Sequence, residues 1–172
     1  MKKCLIVDYQ NDFVSGSLGF EKAKTLELGI ANKINSYHVN GDDVIFTLDT
    51  HYDDYMDSYE GKHLPVPHCI ENTDGHKLYG SVADCVSGED IVFRKTTFGS
   101  DALYEYLKTA CYGSVELVGV VTNICVVANA VLAKTALPDA DIIVDSMLTA
   151  SNDERLHNAA LDTMEGMQII IK

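Results

Sequence analysis

The chain has 172 residues and a formal net charge of −13, with 13 Lys and Arg against 26 Asp and Glu. Its length predicts a single domain over residues 1–172, and a content of 47% hydrophobic and 23% charged residues excludes a disordered chain. The negative charge excludes nucleic acid and membrane surfaces as partners, because phosphate backbones and anionic lipids repel an acidic protein.

The amino-terminal segment and the cysteines indicate the compartment. An apolar run over residues 4–7 stops at Asp8, which makes it too short for a signal-peptide core or a membrane span. The five cysteines are odd in number and never form a CxxC pair, a usage typical of a reducing compartment. We therefore expect a cytoplasmic protein. Cys4, Cys85 and Cys111 are expected to be small hydrophobic residues of the core.

Short β-branched runs alternate with longer stretches of helical period along the chain. The predicted strands cover residues 3–7, 44–48, 91–94, 115–121, 142–144 and 167–171. The predicted helices cover residues 26–37 before a terminating Gly41, a segment capped by Ser100, residues 123–136, and a segment opened by a capping box at residues 151–154. This alternation predicts a three-layer α/β/α sandwich around a mostly parallel six-stranded sheet.

Polar residues follow four consecutive strands, at the edge where such sheets bind their ligands. Asp8 follows the first strand, and Asp49 with His51 follows the second. Lys95 follows the third strand and Cys125 the fourth. Each residue alone has an ordinary structural role, such as a turn cap or a solvated tip. Together they predict a functional site at one edge of the sheet.

Cys125 is the candidate nucleophile. Its place in the first turn of a helix favours a thiolate, and a nearby Lys95 acts in the same direction. Asp8 is then the candidate proton acceptor, with Lys95 as the cation between the two anions. The alternatives are a small core hydrophobe at position 125 and a Cys-His dyad, although no histidine follows the first, third or fourth strand.

The long polar stretch after the second strand contains candidate metal ligands. Asp49 and His51 are two residues apart and would point to one side of an extended segment, and His68 adds a second imidazole. Two histidines and a carboxylate suit a catalytic zinc, iron or manganese ion, with zinc as our first choice. Glu60 is a candidate fourth ligand. The alternative is a set of surface polar residues in a loop.

Five motifs resemble those of the isochorismatase-like cysteine hydrolase superfamily, and most closely its nicotinamidase/pyrazinamidase branch. They lie at residues 7–13 (VDYQNDF), 49–51 (DTH), 67–70 (PHCI), 94–98 (RKTTF) and 119–126 (GVVTNICV). The resemblance implies an Asp8, Lys95 and Cys125 triad. It also implies a divalent metal ion held by Asp49, His51 and His68, with Glu60 as the additional ligand of some nicotinamidases.

Further features follow from the same resemblance. It implies a cis peptide between Val120 and Val121, and an oxyanion hole formed by the N–H groups of Val121 and Cys125. Phe13 would be one wall of the substrate slot, next to Leu64 and Val121. Members often assemble into dimers or tetramers, so a homo-oligomer is expected.

The activity implied is hydrolysis of nicotinamide to nicotinate and ammonia through a cysteine thioester, a step of NAD salvage. One departure concerns the ring-stacking Trp that nicotinamidases carry before the Pro-His-Cys motif: this chain has no Trp, and residues 64–66 (LPV) occupy that stretch. A hydrolase of another small amide, ureido or carbamoyl compound is therefore one alternative. A non-catalytic, metal-binding or redox-responsive α/β protein is another.

Overall fold

The computed structural model of the protein describes residues 2–172. Its strands are β1 (Lys2–Asp8), β2 (Asp43–Asp49), β3 (Ile91–Lys95), β4 (Tyr112–Val120), β5 (Asp141–Ala150) and β6 (Ile170–Ile171). They form one sheet in the order β3-β2-β1-β4-β5-β6, and every neighbouring pair is parallel. The predicted α/β class and six-stranded parallel sheet are confirmed.

The helices connect these strands. They are α1 (Asn11–Val14), α2 (Glu21–Lys24), α3 (Glu27–Asn40), α4 (Tyr59–His63), α5 (Gly80–Asp84), α6 (Asp101–Thr109), α7 (Val127–Ala136) and α8 (Glu154–Gly166). A 3₁₀ turn (Tyr55–Asp57) precedes α4, and a π-helical turn (Thr122–Val126) precedes α7. Over residues 2–172, no helix combines the length and the apolar character that crossing a membrane requires.

The helices form a layer on each face of the sheet, because both faces of the central strands are apolar. In β1, Leu5 and Val7 join a core with α1 and α3, whereas Cys4 and Ile6 join a second core with α6, α7 and α8. This alternation follows from the two-residue period of a strand. The two cores fix the sheet rigidly between helices.

Two predicted helix boundaries are confirmed. Gly41 ends α3 in the left-handed conformation with φ 71°, and its N–H donates to the carbonyl oxygen atoms of Tyr37 and His38. Ser100 caps α6, since its hydroxyl oxygen accepts a hydrogen bond of 3.1 Å from the N–H of Leu103.

The capping box predicted at Ser151 is wrong. Strand β5 continues to Ala150, and the Ser151 hydroxyl donates to Asn123 Oδ1 at 2.6 Å instead of capping a helix. The cap of α8 is Asp153, whose carboxylate accepts from the N–H of Leu156 at 3.1 Å.

Three other predictions also need correction. The last strand does not begin at Met167, because α8 extends to Gly166 and Gln168 has φ 63°, a left-handed conformation that interrupts an extended chain. Cys111 is exposed and Cys85 is half-buried, so of the three cysteines expected in the core only Cys4 is fully buried there. The helix predicted to start at residue 123 begins with the wider π turn.

The strand order reverses between β1 and β4, which are adjacent at the centre of the sheet. The last residue of β1, Asp8, pairs with Gly119 of β4, and the last residues of β2 and β3, Asp49 and Lys95, pair with each other. The carboxyl ends on either side of such a reversal form the usual binding crevice of an open parallel sheet.

Candidate active site

Lys95 connects the candidate nucleophile to the candidate base. Its Nζ atom lies 3.4 Å from Cys125 Sγ, 3.4 Å from Asp8 Oδ2 and 3.7 Å from Asp49 Oδ1. Asp8, Lys95 and Cys125 are each only 3% exposed. The structure therefore brings together an ammonium, a thiol and two carboxylates that sequence reasoning placed on four separate strand ends.

Burial and charge set the protonation of these groups. Burial opposes the charge of Lys95, but Asp8, Cys125 and Asp49 outweigh it and raise the pKa of the ammonium above its usual value. Burial raises the pKa of Cys125 to about 12, against the attraction of Lys95. Burial also raises the pKa of Asp8 to about 6. The sequence favoured a resting thiolate, whereas burial in the structure favours the protonated thiol of Cys125 and makes Asp8 a stronger proton acceptor than an exposed carboxylate.

The Asp8 carboxylate has one engaged and one free oxygen atom. Oδ2 accepts from the Thr47 hydroxyl at 3.0 Å and faces Lys95, while Oδ1 is buried with no hydrogen-bond partner. Among residues 2–172, the buried side-chain polar atoms without a partner are Asp8 Oδ1, Asp49 Oδ1 and His51 Nε2. Buried polar groups are rarely left unpaired in native proteins, so all three mark this region as a binding site.

Thr47 was missed by the sequence analysis. It lies in β2 with no exposed surface, and a β-branched residue in a strand carries no sign of a side-chain contact to another strand. Only the pairing of β1 with β2 brings its hydroxyl to Asp8.

The segment carrying Cys125 is held by its own backbone and by neighbouring side chains. The peptide between Val120 and Val121 is cis, and the Val121 carbonyl oxygen accepts the N–H groups of Ile124 and Val126 at 3.1 and 3.2 Å. The Thr122 hydroxyl lies 2.8 Å from Thr149 Oγ1 of β5 and 2.9 Å from His157 Nδ1 of α8. The sequence analysis gave Thr122, Thr149 and His157 no role in the site.

The four predicted metal ligands form one cluster beside Lys95. One ligand atom from each of Asp49, His51, Glu60 and His68 lies within 4.8 Å of the others. The His51 and His68 Nε2 atoms are 3.4 and 3.5 Å from Asp49 Oδ2. The corresponding distances to the Glu60 carboxylate are 3.9 and 3.5 Å.

The chemistry of this cluster fits a divalent cation. Four ligands at the usual 2.0–2.1 Å of a tetrahedral zinc site would lie about 3.3 Å apart, close to the spacing observed. The ring of His68 is oriented by a 2.9 Å contact between Nδ1 and the Val66 carbonyl oxygen, which directs Nε2 towards the carboxylates. His51 Nε2 has no other partner.

Electrostatics support the same interpretation. Although burial acts against it, the nearby imidazoles of His51 and His68 and the Lys95 ammonium lower the pKa of Asp49. Burial also opposes a charge on His68, but bonds to Asp49 and Glu60 raise its pKa to about 9. The two carboxylates thus favour positive charge at this cluster.

A cavity of about 200 Å³ gives access to both groups. It is lined by the predicted residues Phe13, Asp49, Glu60, Leu64, His68, Val121 and Cys125. It is also lined by Leu18, Phe20, Phe98, Ile124 and Asn152, to which the sequence analysis gave no role. Asp8, His51, Lys95 and Val120 are buried beneath this lining. The arrangement suits a small ligand with an apolar body and one polar end at the sulfur.

Comparison with known proteins gives consistent results. The family model described as the Isochorismatase domain matches residues 3–171. An uncharacterized isochorismatase family protein, PncA, from Bacillus subtilis (strain 168) is 34% identical over 174 residues, which cover 94% of this chain and 93% of the relative.

Solved structures agree in fold. The crystal structure of nicotinamidase PncA from Bacillus subtilis superposes with a TM-score of 0.87 at 29% identity, covering 99% of both chains. The pyrazinamidase/nicotinamidase from Streptococcus mutans UA159 superposes with a TM-score of 0.88 at 29% identity, covering 99% of this chain and 100% of the other.

Proposed function

The chain belongs to the isochorismatase family, and on that premise we propose that it is a cysteine amidohydrolase acting on small carboxamides, with nicotinamide as its substrate. The observation that carries the proposal is the position of the Lys95 ammonium, 3.4 Å from both Cys125 Sγ and Asp8 Oδ2 at the base of a small apolar cavity. Similarity to proteins named nicotinamidase supports the choice of substrate.

Acylation begins with the protonated thiol. Asp8, whose Oδ1 is free, takes the proton of Cys125 as the sulfur bonds to the amide carbon, so no stable thiolate is required. The carbonyl oxygen gains the negative charge and is held by the N–H groups of Val121 and Cys125. The C–N bond then breaks as the nitrogen takes the proton from Asp8. Ammonia departs, and the acyl group remains bound to Cys125 as a thioester.

Deacylation uses the same groups in reverse. The ionised Asp8 removes a proton from a water molecule, whose oxygen bonds to the thioester carbon. The C–S bond breaks, the carboxylic acid is released, and the sulfur regains its proton from Asp8. Lys95 stays charged throughout, because its raised pKa keeps it an ammonium. It therefore keeps the side chains of Asp8 and Cys125 in fixed relative positions at every step.

Asp49, His51, Glu60 and His68 are the residues that would hold a divalent ion, zinc by our first choice or iron or manganese. Such an ion would supply an electrophilic contact that orients the ring nitrogen of a pyridine carboxamide. Phe13, Leu64 and Val121 line the cavity and would pack against the ring of the substrate.

Ammonia release from nicotinamide is the direct test. The purified wild-type protein is expected to release ammonia and nicotinate in equal amounts, and Cys125→Ala should release neither. Treatment with a chelator is expected to reduce the rate, and added zinc to restore it. Release by wild type no greater than by Cys125→Ala would rule out the proposal.

A hydrolase of another small carboxamide or ureido compound is the second candidate. It is favoured by Leu64, which lines the cavity in the chain segment where nicotinamidases carry Trp and which lacks a ring to stack on. A substrate panel distinguishes the two. A kcat/KM for nicotinamide far above that for every ureido compound and non-aromatic amide would reject this candidate.

A further inference from the structure

The motif of residues 7–13 contains polar side chains that the proposed reaction leaves unused. Gln10 is fully buried, and its amide forms three hydrogen bonds to backbone atoms of the last residue of β2 and of the loop that follows it. The N–H of Asp49 donates to Gln10 Oε1 at 2.6 Å, and Gln10 Nε2 donates to the carbonyl oxygen atoms of Asp49 at 2.9 Å and His76 at 2.7 Å. One side chain thus fixes both peptide groups of Asp49.

Asp12 makes an equivalent contact further along the same loop. Its Oδ2 accepts from the N–H of Cys69 at 2.7 Å, and Cys69 directly follows His68. Cys69 has φ 47°, a left-handed conformation that is unfavourable for a residue with a side chain and needs support. Its carbonyl oxygen accepts the N–H of His51 at 3.0 Å. A single peptide segment held by Asp12 therefore connects the two histidines of the metal cluster.

Gly75 makes room for this carboxylate. A Cβ at position 75 would lie 2.0 Å from Asp12 Oδ2, closer than any real contact allows. The N–H of Asp12 also donates to the Gly75 carbonyl oxygen at 3.1 Å. The position of the Asp12 carboxylate therefore depends on a glycine 63 residues away in sequence.

We infer that Gln10 and Asp12 are positioning residues for the metal site: they fix, through backbone hydrogen bonds, the chain segments that present Asp49, His51 and His68. This inference rests on the metal binding contained in the proposed function. The loop from residue 50 to residue 79 has little regular structure, so its ligands would otherwise have to be ordered when the ion binds. A charged acceptor such as Asp12 makes a strong hydrogen bond to a peptide N–H.

Zinc affinity measured without substrate tests the inference. Full-length protein is stripped of metal and titrated with zinc against a chelating indicator, and the melting temperature of each metal-free variant is recorded. We expect Asp12→Ala to bind zinc about 10- to 100-fold more weakly than wild type, as is usual when a partner that orients a ligand is lost. Gly75→Ala should show the same loss, although it changes no charge. Asp12→Asn, which keeps an acceptor oxygen, should recover most of the affinity.

Lys77→Met is the control. Lys77 belongs to the same loop, but its exposed side chain contacts only the exposed carboxylate of Asp74 and no backbone atom. Zinc affinity equal in Asp12→Ala, Gly75→Ala and Lys77→Met would overturn the inference. Wild-type protein that binds no zinc would instead overturn the metal site of the proposed function. If Asp12→Ala fails to fold, Gly75→Ala and Asp12→Asn carry the comparison.

Discussion

Replacement of Thr47 by Val isolates the contribution of one hydrogen bond to the candidate base. The substitution keeps the shape of a buried strand residue and removes the hydroxyl that donates to Asp8 Oδ2 at 3.0 Å. That bond favours the ionised carboxylate, because a carboxylate accepts more strongly than a neutral acid. Its loss should raise the pKa of Asp8 above about 6.

The size of the expected increase in the pKa of Asp8 follows from the strength of the lost hydrogen bond. A hydrogen bond to a charged group contributes about 1.5–3 kcal/mol, and one pH unit corresponds to about 1.36 kcal/mol. We therefore expect the acid limb of kcat/KM to move to higher pH by about 1–2 units in Thr47→Val. The sign is fixed, since a base with a raised pKa loses activity sooner as the pH falls.

The assay is ammonia release from nicotinamide between pH 5 and pH 9, with kcat/KM fitted at each pH. Thr135→Val is the control, because its hydroxyl bonds only the backbone of its own helix on the surface. Activities of Thr47→Val and wild type should converge at the alkaline end. An acid limb that stays at the wild-type pH would refute the assignment of Asp8 as the base.

Three further outcomes are expected. Lys95→Met leaves the charge of the buried Asp8 without its partner, so the free energy of unfolding in urea should fall by about 3–5 kcal/mol. A urea midpoint equal to that of wild type would contradict a stabilising ion pair. Gly119→Ala places a Cβ 2.0 Å from the Asp8 carbonyl oxygen at φ 113° and should lose at least about 1–3 kcal/mol in thermal unfolding, whereas Gly88→Ala, with open space around it, should not. Zinc at 100 times its Kd should stabilise wild type by about 2.7 kcal/mol but leave His68→Ala unchanged, and equal stabilisation of both would argue against this ligand set.

The sequence predicted those site residues whose position follows from local pattern and topology. Asp8, Lys95 and Cys125 each follow a recognisable strand, and parallel strands bring their carboxyl ends to one edge. Their protonation could not be predicted in the same way. The pKa of Cys125 depends on complete burial, which is a property of the packed molecule and outweighs the nearby ammonium.

The contacts that hold the site were less accessible to sequence reasoning. Gln10, Asp12 and Thr47 act on partners 39 to 66 residues away, and no local spacing reports such a pairing. The cap of α8 was predicted at Ser151 instead of Asp153 for a related reason. Pairing with β4 decides the length of β5, and this length places Ser151 too early in the chain to cap α8.

The pairing of β1 with β4 joins two halves of the chain that each lack part of the chemistry. A break at the exposed Cys111, between α6 and β4, leaves Asp8 and Lys95 on one peptide and Cys125 on the other. Under the proposed mechanism neither piece contains all three groups, so ammonia release is expected only when the two reassociate along the centre of the sheet. Fused to separate partners, such fragments would turn ammonia production into a reporter of their encounter.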